Sequence, residues 1–426
     1  MPTVMLVSMI IFFAFSVPIA VSIGFASVTG IQIFGGVPML VIPKEMYSAV
    51  DKFALGAIPF FILAGNVMET GGISGRLVNF AKSIVGGLQG GLGMTCVITC
   101  MIFAAVSGSG PATTFAIGAI LIPALVKHGY PVNFAAALQA TSAELGVIIP
   151  PSIPMILYGV SAEVSIGEMF IAGFGPGVLI GGGLLLFVWC WCKFRGYGKN
   201  DHLGRMRFTQ STKEAAFALM MPVIILGGIY GGVFTPTEAS VVAVFYALFV
   251  GMAVYREIRL KDLFPIFRKS VISSAVIMFI IANAGLFSYL ITRAGVPEAI
   301  GDFLKANLNS SAMFLLGINV SLFVIGMFIE TSSSIIVLAP ILVPVAMKFG
   351  VDPVHFGIIM VVNLACGMIT PPFGVNLFAA CTVAKISVDE IVRELIPFVL
   401  TVLVCLMLIT YFPQISLFLR DLLYRS

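Results

Sequence analysis

The sequence predicts an all-α polytopic membrane protein, built as two inverted repeats that each carry a re-entrant helical hairpin and a broken helix. Composition is the first observation: 59% of the 426 residues are hydrophobic and 10% are charged, against roughly 25% charged in soluble domains. A mean hydropathy of +1.11 is more than a soluble interior of this size can hide. The second is segment length, since run after run holds about 20 residues with few charges, enough to cross a bilayer core. The third is self-similarity. An offset of 221 residues takes Pro123 to Pro344, Lys127 to Lys348, Gly129 to Gly350, Gly146 to Gly367 and Pro150-Pro151 to Pro371-Pro372. Polar interruptions recur with it, Ser-Gly-Ser-Gly-Pro-Ala-Thr-Thr at 107–114 and Phe-Ile-Glu-Thr-Ser-Ser-Ser-Ile at 328–335. A membrane chain doubled in this way has the pattern of a secondary transporter.

The first repeat covers 1–192. Spanning helices are expected near 5–26, 53–69 and 168–192, with an apolar piece at 31–43 short enough to be re-entrant. The opening segment is too long for a cleaved signal and lacks its basic flank. A hairpin fills 92–128 around the first polar break, and a broken helix, 132–162, centres on Gly146-Val-Ile-Ile-Pro-Pro-Ser152. Loop 193–213 carries Lys193, Arg195, Lys199, Arg205, Arg207 and Lys213 against Asp201, so the positive-inside rule makes it cytoplasmic. These residues set topology, and the net charge of +4 does not point to nucleic acid.

The second repeat covers 214–426, with helices near 215–233, 238–255 and 271–291. A basic cluster (Arg256, Arg259, Lys261, Arg268, Lys269) lies two spans after the basic loop, on the same side. A hairpin at 313–349, a broken helix at 354–384 and a helix near 395–418 follow. Counting crossings brings the first hairpin in from the cytoplasm and the second from outside, which inverts the repeats. Ser165-x-x-Glu168 and Ser387-x-x-Glu390 are capping boxes that open helices. The seven cysteines lie in apolar surroundings as small core residues, and His128, His202 and His355 fit no metal spacing.

The breaks carry the chemistry. Unwound backbone survives in hydrocarbon only beside protein or a water-filled cavity. Pro150 and Pro151 have no N–H, so the carbonyls of Gly146 and Val147, four residues earlier, lose their helical donors. Pro371 and Pro372 do the same for Gly367 and Met368. Short oxygen side chains are expected beside each break, Ser107 and Ser109 at one, Thr331 and Ser332 at the other. Such hard oxygens suit sodium. Glu330 lies at the second tip, where an ionisable group is expensive and usually functional. Arg293 follows the span 271–291 and either forks onto a carboxylate or snorkels to the headgroups.

The motifs at 107–114, Gly146-x-x-x-Pro-Pro at 146–151 and Gly367-x-x-x-Pro-Pro at 367–372 resemble the large membrane subunit of tripartite ATP-independent periplasmic (TRAP) transporters, in the sialic-acid branch. The resemblance covers the whole chain. It implies an elevator-type ion-transporter fold in the bacterial inner (cytoplasmic) membrane and sodium-driven uptake of an organic acid, sialic acid or a C4-dicarboxylate. Further implied are a periplasmic binding protein that delivers the substrate and a small four-helix membrane subunit on a separate chain. Many relatives carry Asp-Thr where this chain has Glu330-Thr331, so the carboxylate is kept with one more methylene. The expected sodium sites are Ser107, Ser109, Gly146 and Val147, and then Thr331, Ser332, Gly367, Met368 and Thr370. The expected substrate residues are Arg293, Glu330, Ser109, Ser152 and Asn376. The hairpins and broken helices are expected to move as one body, against fixed helices near 168–192, 215–255 and 395–418. No organic cofactor is expected. A stand-alone ion-coupled carboxylate permease of related architecture shares most of these features. An intramembrane enzyme would need a metal or nucleophile constellation, and the sequence offers none.

Overall fold

The computed structural model describes residues 2–34, 36–199, 207–308 and 310–424, apart from the side chain of Ala14. Arg205, Asp201 and His202 of the basic loop lie outside the described residues. No strand occurs among the described residues, and eight helices are long and apolar enough to cross a bilayer, or nine if one bent pair counts as a span.

The first repeat opens differently from expectation. The stretch 5–26 is two helices, α1 (Pro2–Ala14) and α2 (Ile19–Phe34). Ser16 turns to a φ of 57°, and Pro18 supplies no N–H and disfavours a helical Val17. The piece 31–43 is not a unit either, being shared between the end of α2 and the start of α3 (Val41–Val50), a helix with no buried residue. A short 3-10 turn then leads into α4 (Ala57–Thr70), and together they form the expected span as Phe53–Thr70. An amphipathic helix, α5 (Ile73–Val85), buries Ile73, Leu77, Val78 and Ala81.

The hairpin follows as α6 (Gly91–Ser107) and α7 (Gly110–Lys127), joined at Gly108, whose φ of 60° suits a residue without Cβ. The broken helix comprises α8 (Val132–Ser142), α9 (Leu145–Ile148) and α10 (Ile153–Ser161), bent by 42° across the cis Pro150-Pro151 bond. Helix α11 (Ile166–Arg195) completes this half, opened by the Ser165 hydroxyl accepting from the Glu168 N–H.

The second repeat starts with α12 (Phe208–Tyr230), α13 (Pro236–Phe249), ending in a π turn, and the 34-residue α14 (Leu260–Arg293). Amphipathic α15 (Val296–Asn307) precedes the hairpin α16 (Ser311–Gly326) and α17 (Thr331–Lys348). The second break separates α18 (Pro353–Gly367) from α19 (Val375–Ala384), again at a cis Pro-Pro bond, Pro371-Pro372. Helix α20 (Val388–Tyr411), opened by the Ser387–Glu390 capping box, stops short of the expected 418 because Pro413 ends it. Helix α21 (Gln414–Tyr424) closes the chain's described part. The offset of 221 reaches the helix limits: α7 and α17 begin at Gly110 and Thr331 and end at Lys127 and Lys348.

Packing sorts the helices into two groups. Helix α14 lies on α2, α3 and α4, α13 lies on α4, and α5 on α12, with contacts to the hairpins through α5 on α6 and α14 on α17. The other group holds the hairpins and broken helices. Here α7 packs on α19 and α17 packs on α10, so each hairpin's second helix grips the other half's broken helix. Helices α11 and α20 belong with this group, α20 against α8 and α11 against α6 and α18. Helices α11 and α20 thus touch the broken helices on one side and keep apolar side chains such as Leu186, Leu400 and Val404 exposed on the other.

Candidate functional site

The first tip and the first break are built against each other. The Ser107 hydroxyl lies 2.9 Å from that of Thr113, whose hydroxyl donates to the Ser109 carbonyl at 2.8 Å. A Cβ on Gly146 would sit 2.7 Å from both the Ser109 carbonyl oxygen and the Thr113 hydroxyl, so only glycine lets the break approach the tip. The Ile153 N–H donates to the Gly108 carbonyl at 3.3 Å, tying α10 to the same turn. Ser107, Ser109, Gly146 and Val147 thus converge. Ser152 is buried and donates its hydroxyl to the Val147 carbonyl at 2.6 Å while capping α10. The carbonyl expected to be free is occupied on one lone pair, leaving its second available.

The second break is tighter. The Gly367 carbonyl accepts from the Thr370 N–H at 2.9 Å, and the Met368 carbonyl from the Asn376 N–H at 3.1 Å. Both freed acceptors are re-satisfied by the chain turning back, which corrects the expectation that proline leaves them open. The Thr370 hydroxyl donates to the Cys366 carbonyl at 2.9 Å. Glu330 is the N-cap of α17, its carboxylate accepting from the Ser333 N–H at 3.1 Å and the Ser332 hydroxyl at 2.8 Å. Thr331 and Ser334 are buried next to it with hydroxyls that have no protein partner. The Asn376 amide is likewise buried without a partner, and it lies against Gly110, where a Cβ would come within 2.7 Å of Nδ2. Asn376 therefore joins the first tip to the second break.

Arg293 joins neither. It ends α14 exposed, with Nη1 donating to the Tyr289 hydroxyl at 3.0 Å. Among the described residues no ion pair or hydrogen bond links Arg293 to Glu330. A different cation faces the first tip. Lys269, about 36 Å back along α14 by helical rise, pairs with Glu69 at 3.0 Å. The two line a cavity of about 430 Å³ together with Asn66, Ser107, Ser109 and Ser273. The Asn66 amide donates to Ser270 at 2.9 Å, which fixes its carbonyl oxygen. A second cavity, of about 250 Å³, lies farther along α14 and includes Lys52, Glu45, Glu163 and Ser288. The first presents the Ser107 and Ser109 residues of the tip on one side and the Lys269–Glu69 ion pair on the other.

Residues 6–415 match the family described as "Tripartite ATP-independent periplasmic transporter, DctM component". The chain belongs to this family. It is 42% identical to the C4-dicarboxylate TRAP transporter large permease protein DctM of Rhodobacter capsulatus, over 95% of this chain and 96% of that one. It is also 42% identical to the isethionate TRAP transporter permease protein DctMQ of Oleidesulfovibrio alaskensis, over 96% of this chain but 64% of that longer one. The sialic acid TRAP transporter large permease protein SiaM of Vibrio cholerae is 37% identical over 89% of each. Among solved structures, the YdaH transporter of Alcanivorax borkumensis shares the fold, with a TM-score of 0.67 over 86% of this chain and 87% of that one, at 16% identity. The TRAP large permease is a multi-pass membrane transporter subunit and not an enzyme. Asn66, Glu69 and Ser273 gave no signal in the sequence, and Lys269 stood there only as part of the basic cluster that sets topology, because polar residues near the end of an apolar run pass for headgroup anchors.

Proposed function

We propose that this TRAP permease imports a small organic anion together with sodium by an elevator motion in the bacterial inner membrane. A periplasmic binding protein delivers the substrate, and a small membrane subunit on a separate chain braces the permease. The carrying observation is the cavity of about 430 Å³ at the first tip, where Ser107 and Ser109 stand beside Gly146 and face Lys269. Carbonyl and hydroxyl oxygens there suit a hard cation, and sodium bound at the tip would add positive potential for an anionic substrate. The hydroxyls of Thr331, Ser332 and Thr370, with the second lone pair of the Gly367 carbonyl, offer a second set. Relatives are named for C4-dicarboxylate, isethionate and sialic acid, and their shared chemistry is a compact organic anion. That breadth, and greater identity to a C4-dicarboxylate relative than to the sialic acid one, support the anion class rather than sialic acid alone.

Uptake into proteoliposomes under imposed sodium gradients tests this. A sigmoidal dependence on sodium is expected, with a requirement for the binding protein. Gly146→Ala should weaken apparent sodium affinity by about tenfold, the equivalent of one lost oxygen contact of about 1.4 kcal/mol. Full uptake driven by a proton gradient alone, without sodium, would overturn the coupling. Uptake independent of any binding protein would favour the stand-alone permease.

A further inference from the structure

The cavity of about 250 Å³ lies where the two packing groups meet. One wall holds Ser48 and Lys52, at the end of α3 and just beyond it, with Gly285 and Ser288 of α14. A Cβ on Gly285 would collide with Ala49, so α3 lies directly on α14 here. The other wall holds Val160, Ser161 and Glu163, at the end of α10 and in the turn after it. A neighbouring cavity of about 330 Å³ shares Lys52, Val160 and Glu163 with the first and reaches Gly167 and Pro236, at the starts of α11 and α13. Lys52 therefore stands on the walls of both.

Its charge is not spent. Among the described residues Lys52 forms no ion pair. Its ammonium donates to the Val160 carbonyl at 3.4 Å, across the boundary between the two groups. Lys269, in the other cavity, is instead neutralised by Glu69 at 3.0 Å. Two carboxylates share the Lys52 cavity. Glu45 lies 3.9 Å from Lys44, and Glu163 is exposed on the opposite wall, in a turn where its φ is 55°. An ammonium resting on a neutral carbonyl keeps its full charge, so an entering anion is attracted without first breaking an ion pair.

One face of α14 runs past both ends of this path. Lys269, Ser273 and Ile277 line the cavity at the first tip, and Ile281 and Gly285 line the Lys52 cavity. Each is four residues from the last, the spacing that keeps side chains on one side of a helix. Ser273 and Ser288 are about 22 Å apart by helical rise. A step of that order along α14 would draw Val160 and Glu163 away from Lys52. It would bring the first tip, with Ser107 and Ser109, to the wall that Lys52 and Ser288 form.

We propose that Lys52 is an anion-binding residue of the transport path. Its ammonium leaves the Val160 carbonyl for the carboxylate or sulfonate of a small organic anion when the first tip stands at the Lys52 cavity. Only hydrogen bonds are exchanged in this step. The inference rests on the elevator reading above and adds to it a second station, with a named residue, at which the substrate is held.

A thiol placed in the cavity tests the site without substrate. Ser288→Cys permease is treated with two methanethiosulfonates, the anionic 2-sulfonatoethyl and the cationic 2-(trimethylammonio)ethyl reagent. Modification at position 288 is counted by peptide mass spectrometry, so the native cysteines do not interfere. Adding Lys52→Gln should lower the ratio of anionic to cationic rates about fivefold, the effect of one nearby charge on two reagents of opposite sign. Adding Lys52→Arg should preserve the ratio. Equal ratios with Lys52 and with Gln at this position would overturn the proposal. Proteoliposomes holding the permease with its partner proteins under a fixed sodium gradient are then offered succinate, isethionate and sialic acid in turn. For whichever anion the wild type carries, Lys52→Gln should slow uptake about tenfold, as for one lost charge-assisted contact, and Lys52→Arg should restore it. A Lys52→Gln rate equal to wild type would likewise overturn it. A charge-dependent ratio at position 288 in a chain that transports none of the three would sink the transporter reading and leave the anion site standing, so the two failures are distinct.

Discussion

Gly326 and Gly367 let the second hairpin touch the second break, since a Cβ on Gly367 would collide with the Gly326 backbone. Gly367→Ala should cost about 1–3 kcal/mol, the range for overpacking a filled site, read as a lower midpoint in thermal unfolding of the detergent-solubilised protein. Arg420 is a different kind of residue. It is 1% exposed and binds both Asp352 oxygens, at 2.9 and 2.8 Å, and Asp421 at 2.7 Å. Burial alone would push the Asp352 carboxyl up, but the Arg420 guanidinium and the His355 and Val354 N–H groups hold it below the ordinary carboxylate value. A depressed folded-state value gives stability that is present above the unfolded carboxylate pKa and lost as pH falls through the folded one. Asp352→Asn should therefore cost roughly 1.5–3 kcal/mol near neutrality, with the gap to wild type closing in strong acid. A constant gap across pH would show that the charge is irrelevant. Ser107 and Glu330 were legible in sequence because they interrupt apolar runs, whereas Arg420, in a charged amphipathic tail, was not.

Hairpins and broken helices read out well at the element scale, since Pro-Pro and Gly-Ser clusters stop helices wherever they occur. The partners of those elements did not. Hydropathy makes α11 and α20 look like ordinary spans, and only packing puts them with the broken helices. The amphipathic α5 and α15, of 13 and 12 residues, are too short to cross a bilayer core and so do not stand out in hydropathy. If the two packing groups move against each other, a bond between α4 and the first hairpin should arrest transport. Gly65 is suited, because a Cβ added to it would lie 3.5 Å from the Ser107 Cα. In Gly65→Cys/Ser107→Cys protein, oxidation should form a cross-link detectable by peptide mass spectrometry and stop the uptake that remains in the reduced form. Oxidised protein that is fully cross-linked yet transports at the reduced rate would rule out relative motion at this contact.

For the whole molecule, orientation is the first testable matter. By the positive-inside rule, the ends carrying Lys193, Arg195 and Lys199 and the cluster from Arg256 to Lys269 are expected in the cytoplasm. That orientation would put the Lys269 cavity toward the cytoplasm and the Lys52 cavity toward the outside, since they line opposite parts of α14. An impermeant maleimide should label Lys199→Cys only after the membrane is opened, and Lys305→Cys in intact cells. The reverse pattern would turn the molecule over and exchange the roles of the two cavities.

The sequence by itself determined the membrane class, the doubled plan and the positions of both breaks. Apolar length, proline chemistry and the 221-residue offset are local properties that survive in one dimension. It also singled out Ser107, Ser109 and Gly146, because unwound polar backbone in hydrocarbon needs protein or water beside it, and the structure brings the three together. Only the tertiary structure decided which residues share a cavity. Lys269 faces the first tip and Arg293 does not, because both lie on one long helix whose two ends point to opposite sides. Only packing could show α7 on α19 and α17 on α10, or leave Glu144 buried without a partner, since those depend on contacts between segments far apart in the chain.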